Sequence, residues 1–254
     1  MTLLATIFRR RFLDWARYPM EAVLSILVFY AIFVVLFFGA KTFGGPSVTK
    51  GDTLSAIVVG YVVFVITMQG YQQFGSQVLQ ESMAGTLEQL ALSRYGLLVV
   101  LLLDFIAQTV MTTTILGLVI VPIMVTTGRW LHFDVPSVVI ALVPTMAGLV
   151  GLGLVMGGCA LVFKRIGQAA GLVSFTFLFL VAAPVDRYPL LKLFPVGHGN
   201  FLLRRTLVDG TSLLSMPSEV LILLVVSAAY LVVGCIGFSA LERKARDRAL
   251  LGQY

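Results

Sequence analysis

The sequence predicts an all-α polytopic membrane protein. Three observations carry that expectation. Hydrophobic residues make up 59% of the 254 residues, and charged residues only 12%. The apolar residues also gather into six long runs. A soluble domain carries about 25% charged residues. A chain this apolar could not keep its surface wet as a globule, so lipid must be the solvent for most of it. No long polar stretch interrupts the pattern, so a single membrane domain over 1–254 is expected.

The runs cover about 22–40, 54–78, 97–121, 137–163, 167–183 and 220–240. Each is near or above the ~17–25 residues that a spanning helix needs. Backbone polar groups cannot stay unpaired in hydrocarbon, so each run is expected to be a helix. A β-barrel would need alternating segments of about ten residues, and none occurs. Arginines precede the first run, but it is long enough to span and no small-x-small site follows it. A cleavable signal peptide is therefore not expected.

Orientation follows from Lys and Arg placement. With the N-terminus inside, the inner segments hold Arg9, Arg10, Arg11, Arg17, Arg94, Lys164, Arg165, Arg243, Lys244, Arg246 and Arg248, which is eleven. The two short outer loops hold Lys41, Lys50 and Arg129, which is three. The longer loop before the last run holds Arg187, Lys192, Arg204 and Arg205, and long loops count less. Both termini are expected in the cytoplasm, with the chain in the cell (inner or plasma) membrane. The same bias explains the net charge of +6 without a nucleic-acid partner. Cys159 and Cys235 lie inside apolar runs and read as packing residues, not as a disulfide or metal pair.

Residues 1–20 read as a helix lying in the membrane interface, the alternative being an ordinary positively charged flank. Leu3, Leu4, Ile7, Phe8, Phe12 and Trp15 share one face, and Arg9, Arg10, Asp14 and Arg17 lie largely off it. Phe8, Arg11, Phe12 and Trp15 are its candidate interfacial residues. Arg17-Tyr18-Pro19 marks a break before the chain enters the membrane. Residues 184–219 hold Pro184, Pro189, Pro195 and Pro217 among apolar stretches. A re-entrant or surface-lying helical hairpin on the outer side is expected there, with a plain external loop as the alternative. Residues 220–240 form the sixth span, and 241–254 a cytoplasmic tail.

Gly153-x-x-x-Gly157, with Gly148, Gly151 and Gly158 nearby, would let helix backbones approach closely. Packing within one subunit is favoured over a dimer seam. Enzyme chemistry is poorly supplied. His132 and His198 fall in expected outer loops, and no His/Cys/Asp/Glu group has metal-ligand spacing. Gly39-Ala40-Lys41-Thr42 lacks the glycine before the lysine that a phosphate-binding loop needs.

Asp104 stands about two turns into the third run, near Gln108, Thr109, Thr112, Thr113 and Thr114. It reads either as a hydrogen-bonded node near the cytoplasmic boundary or as the lining of a polar mouth to a transport path. Gln69, Gln72 and Gln73 in the second run face the same choice. A lone Asp gives little support to a proton-coupled pump.

Between the second and third runs lies Gln80-Glu81-Ser82-Met83-Ala84-Gly85-Thr86-Leu87-Glu88-Gln89-Leu90-Ala91-Leu92-Ser93-Arg94. Thr86 is placed to cap a short helix, with Glu88 and Gln89 in its first turn. A short cytoplasmic helix held between two spans suits the passing of motion to a partner. The pattern Glu81-x-x-x-Gly85-Thr86-Leu87-Glu88-x-Leu90 resembles the coupling segment of ABC transporter permeases of the type-2 exporter class. The layout is similar over essentially the whole chain: an interface helix, six spans, a short coupling loop after the second span and an outer helical hairpin before the sixth. Phe194-Pro195 followed by Leu203-Arg204-Arg205-x-Leu207-x-x-Gly210 is similar to that hairpin, although Val196-Gly197-His198-Gly199 stands where Asn-Pro is commoner. The tail around Glu242-Arg243-Lys244-Ala245-Arg246 also resembles family C-termini.

The resemblance implies a permease that is not itself an enzyme. Two membrane subunits, identical or different, would pair around a substrate path, with a separate ATPase docked beneath each. ATP and Mg would belong to the ATPases, with no cofactor in this chain. Glu81 and Glu88 would meet basic or amide groups of the ATPase, the alternative being solvated or capping acids. The candidate path residues are Gln69, Gln72, Asp104, Gln108, Thr112, Phe175 and Phe179. Pro195, Arg204 and Arg205 mark the outer hairpin. Aromatic residues such as Phe29, Tyr30, Tyr61, Phe64, Phe175 and Phe179 favour a hydrophobic or amphipathic substrate, drug or lipid-like, over a glycan. The same rings could instead pack between helices or face lipid. The rival classes are a membrane scaffold without transport activity and an ion-coupled carrier.

Overall fold

The computed structural model of the protein describes residues 3–43, 51–83, 89–90, 94–128, 134–163, 167–182, 185 and 187–247. Among the described residues the fold is all-helical, without strands. In chain order the helices are α1 (Leu3–Arg17), α2 (Pro19–Phe43), α3 (Gly51–Met83), α4 (Gly96–Thr127) and α5 (Val135–Val162). Then follow α6 (Gly167–Ala182), α7 (Pro195–Leu207) and α8 (Pro217–Asp247). Short 3-10 turns at Pro189–Leu193 and Leu213–Ser215 flank α7.

Five of these helices, α2, α3, α4, α5 and α8, are long and apolar enough to cross a membrane. The sequence reading counts six spans. The fifth expected span is α6, whose 16 residues reach about 24 Å, short of a hydrocarbon core of ~30 Å. The helices α2, α3, α4 and α8 run past their apolar runs, α8 to Asp247 and α4 to Thr127, whereas α5 stops at Val162, within a residue of the end of its run. A helix continues until its backbone finds a stop and not until its hydrophobicity ends. Thus α3 extends to Met83 and carries Glu81 in its last turn. At the end of α4, Gly128 takes the left-handed conformation, φ +64°, that closes a helix.

Tyr18 breaks the chain between α1 and α2. Pro19 then opens α2, where its missing N–H costs nothing. The stretch expected to be a helical hairpin is a single 13-residue helix, α7, between two 3-10 turns. Its first turn is buried from Pro195 to Gly199.

The centre of the fold is α5, which packs against α3, α7 and, most extensively, α8. Glycine makes this approach feasible. A Cβ placed on Gly151 would lie 2.1 Å from the Tyr230 carbonyl oxygen of α8, and one on Gly234 would lie 2.3 Å from the Gly151 oxygen. On the other face, a Cβ on Gly153 would come 2.7 Å from Cδ2 of Phe74 in α3. Hydrocarbon gives helices no hydrophobic reason to associate, so close van der Waals contact of small residues holds such seams. The Gly153-x-x-x-Gly157 stretch therefore packs within the chain, as the sequence reading favours.

Two apolar clusters fill the interior. One joins Phe33, Tyr61, Tyr71, Leu149, Phe177 and Leu202. The other gathers Phe74, Leu101, Phe105, Leu154 and Phe238, with the Phe74 and Phe105 rings stacked 4.9 Å apart. The exterior is just as apolar: Val35 is 71% exposed and Leu172 72%. Such a surface fits hydrocarbon and gives the chain the character of a multi-pass membrane protein.

Gly151→Leu should destabilise the fold by roughly 1–3 kcal/mol or more, because backbone atoms stand in the way and cannot rotate aside. Gly171→Ala, at a helical position with nothing within 4 Å, should leave stability unchanged or slightly higher. Thermal unfolding of the detergent-solubilised variants would compare them. Equal effects of the two substitutions would contradict the packing described.

Candidate functional site

The most unusual surface of the protein is a polar stripe on a spanning helix. Gln69, Gln72 and Ser76 lie on one face of α3, and all three are exposed. Gln69 falls near the middle of the apolar stretch Ser55–Glu81. An amide facing hydrocarbon without a partner costs several kcal/mol, on the order of 2–7. This face therefore fits contact with water or with another protein surface better than contact with lipid tails. The Gln72 amide donates to Ser174 Oγ of α6 at 3.1 Å, which ties the two helices together. Beside the stripe, a cleft of about 260 Å³ between α2 and α3 is lined by Phe29, Tyr61, Phe64, Met68, Gln69 and Gln72. On α6, Leu172, Phe175, Thr176 and Phe179 make an exposed face at helical spacing.

A second polar cluster sits between α1, α3 and α4. The Arg11 guanidinium grips the Asp104 carboxylate with two hydrogen bonds, Nε to Oδ1 at 2.9 Å and Nη2 to Oδ2. Gln77 Nε2 donates to Oδ2 at 2.8 Å. Asp104 is buried, so the bidentate arginine supplies the compensation that an acid in an apolar site requires. The node fastens the N-terminal helix to two spans at once. Periodicity could not have found Gln77 or the pairing of Arg11. The usable signal was the need of a lone intramembrane acid for a cation.

The sequence-derived path residues thus divide. Gln69, Gln72, Phe175 and Phe179 lie on exposed faces of α3 and α6. Asp104 is held by Arg11, Gln108 lines a separate small cavity with Arg11 and Trp15, and Thr112 is buried on α4. On α1, Phe8 and Trp15 are half-buried and Phe12 is exposed. Of the coupling residues, Glu81 is half-buried at the end of α3, and Leu90 packs partly against the Phe74 cluster. Gly85, Thr86, Leu87 and Glu88 lie outside the described residues.

A third cluster joins the Pro189–Leu193 turn, α7 and the start of α8. Glu219 accepts from Lys192 Nζ at 2.5 Å and from His198 Nε2 at 3.0 Å. His198 belongs to a buried helix and not to an open loop, and its side chain is fully buried. Burial pushes the His198 imidazole below its ordinary value, outweighing the upward pull of Glu219, while the Lys192 charge adds to the depression. Nearby, Arg204 is exposed. Arg205 lies 3.8 Å from Asp209 and stacks over the Phe201 ring.

Among the described residues no group of three or more His, Cys, Asp or Glu could hold a metal ion. Compared with known proteins, the chain matches no family model and no curated relative. What fold and surface define is thus a class: a multi-pass membrane protein, all-helical among the described residues, with a polar stripe on α3.

Two predictions arise from these clusters. Arg11→Ala leaves the Asp104 charge buried without its partner, and should cost more stability than Asp104→Asn, about 3 against about 1 kcal/mol. The double variant Arg11→Met with Asp104→Leu should recover part of the loss. Thermal unfolding of the three purified proteins would establish the order, and equal losses would contradict the node. The second concerns pH. A depressed folded pKa means that the unfolded chain binds the His198 proton more readily. Stability is thus intact well above the ordinary histidine value of about 6.5 and falls as pH drops through it. Between pH 7.5 and 5.5 the unfolding temperature should decline, and His198→Gln should flatten that slope.

Proposed function

We propose that the chain is the membrane-spanning permease subunit of an ATP-driven exporter, powered by a separate ATPase. The observation that carries this reading is the polar stripe on α3 that runs from Gln69, near the middle of the apolar stretch, through Gln72 to Ser76 toward its end, exposed beside a cleft and an aromatic face of α6. Polar groups at that depth need water or protein, and a transport path at the seam of two subunits supplies both. The Arg11–Asp104–Gln77 node supports the reading from the other end, because it would carry movement of α1 directly into α3 and α4.

In this proposal α6 serves as a short fifth span, which keeps both termini in the cytoplasm of a cell-membrane protein. The 80–94 segment then faces inward and docks on the ATPase through Glu81 and Glu88. The buried α7 lies on the outer side as a re-entrant element. A second permease subunit, identical or different, closes the path. The aromatic lining favours a hydrophobic or amphipathic cargo, drug or lipid-like, with few partners for the hydroxyls of a glycan.

Copurification tests the class directly. A stable complex with an ATPase whose ATP turnover depends on this chain is the expected result. Transport that follows an ion gradient and ignores ATP would instead establish a carrier. Within the complex, Glu88→Lys should lower stimulated ATP turnover by about tenfold while membrane insertion stays normal, as loss of a charge-assisted contact would produce. Unchanged turnover in that variant removes the docking role.

A further inference from the structure

We infer that the elbow between α1 and α2 binds one zwitterionic phospholipid whose headgroup carries a primary amine. Two cavities meet there. One, of about 180 Å³, is lined by Arg11, Trp15, Glu21 and Gln108. The other, of about 570 Å³, runs from Arg17 along α2 past Leu24, Val28 and Phe29. Tyr18, Glu21 and Ser25 line both, so the two adjoin across these residues, with Arg17 and Glu21 near the elbow and Leu24, Val28 and Phe29 beyond them. That is the shape of an amphiphile. The groove also lies at the end of the apolar segment Pro19–Thr42, beside Trp15 and Tyr18, aromatic residue types that favour the headgroup level.

Charge selects the amphiphile. Arg11 is already engaged by Asp104, so the exposed Arg17 is the cation left to meet a phosphate. Glu21 is exposed four residues further on and faces the same groove. A carboxylate there suits an ammonium group, and the Trp15 and Tyr18 rings add attraction for a cation. Arginine and glutamate together therefore complement a headgroup that carries both signs. An anionic headgroup would set its excess charge against Glu21. A quaternary ammonium has no N–H to donate to the carboxylate, which leaves the primary amine as the best match. This site is independent of the exporter reading and would hold its lipid whatever the chain transports.

Native mass spectrometry of the full chain tests the proposal. The protein is incubated in detergent with equal amounts of phosphatidylethanolamine, phosphatidylcholine and phosphatidylglycerol. One bound phosphatidylethanolamine should dominate. Glu21→Gln should reduce that species by about threefold to tenfold, the range for one exposed to half-buried charged contact. Arg17→Gln should weaken all three lipids. Equal retention of the three, a preference for phosphatidylglycerol, or an unaltered profile in Glu21→Gln overturns the proposal. If a variant aggregates, the headgroup preference of the unsubstituted protein decides alone.

Discussion

The close approach of α5 to α8 is the constraint on which the rest of the fold depends. At Gly151 and Gly234 the two backbones come within a distance that no side chain would permit. The same helix offers Gly153 and Gly157 to Phe74 of α3, and Gly148 to Pro195 of α7. One helix thus fixes the positions of three others through residues that carry no side chain. The rotation of α3 follows from this. With Phe74 turned toward Gly153, the helical repeat puts Gln69, Gln72 and Ser76 roughly half a turn away, on the outside. The polar stripe faces outward because the glycine seam occupies the other face.

The placement of α7 has a similar origin. Its first turn enters the bundle through glycines, and a Cβ on Gly199 would meet Thr145 of α5 at 2.0 Å. Once α7 is buried, His198 cannot reach water, and Glu219 of α8 becomes its partner. Lys192 balances the carboxylate from the flanking turn. A buried imidazole, a carboxylate and an ammonium then hold three segments together, with Glu219 at the centre, and loss of Glu219 would leave the buried His198 without its partner. Ser137 adds a tie from the start of α5, accepting from the Leu213 backbone N–H at 3.0 Å.

Much of this architecture was legible in the sequence, for a physical reason. Lipid as solvent forces long apolar runs, and the runs locate α2, α3, α4, α5 and α8 to within a few residues. The break at Tyr18 was legible because proline permits few conformations. Helix was expected around α7, but the burial of its first turn was less legible, since His198 was placed in an outer loop and Gly197 and Gly199 show their use only in tertiary packing. The extent of α6 was legible too, since its run of 167–183 matches Gly167–Ala182 to within a residue. Arg11 could be read as a flanking charge and an interfacial residue, but not as the partner of Asp104. Its partner lies 93 residues away, a separation that local periodicity cannot bridge. The sequence marked Asp104 as needing a partner without saying which.

The relation between the node and the stripe gives the exporter reading its mechanical content. Gln77 and Gln72 belong to one helix, little more than a turn apart, and a helix transmits displacement along its axis with little loss. A push on α1 would reach Asp104 through the Arg11 fork, and reach α3 through Gln77. Asp104 is shielded from water, so the pair is screened less than a surface salt bridge and resists separation more strongly. The same push would shift Gln69 and Gln72 relative to Ser174 on α6, where the neutral Gln72–Ser174 hydrogen bond and the edge-on Tyr71–Phe177 ring pair join the two helices. Of the two side-chain joints, the charge-assisted one lies near the interface helix and the neutral one at the polar face. A device that converts movement at the membrane surface into opening of a path at its centre requires that order, and the reverse order would absorb the motion before it reached the stripe.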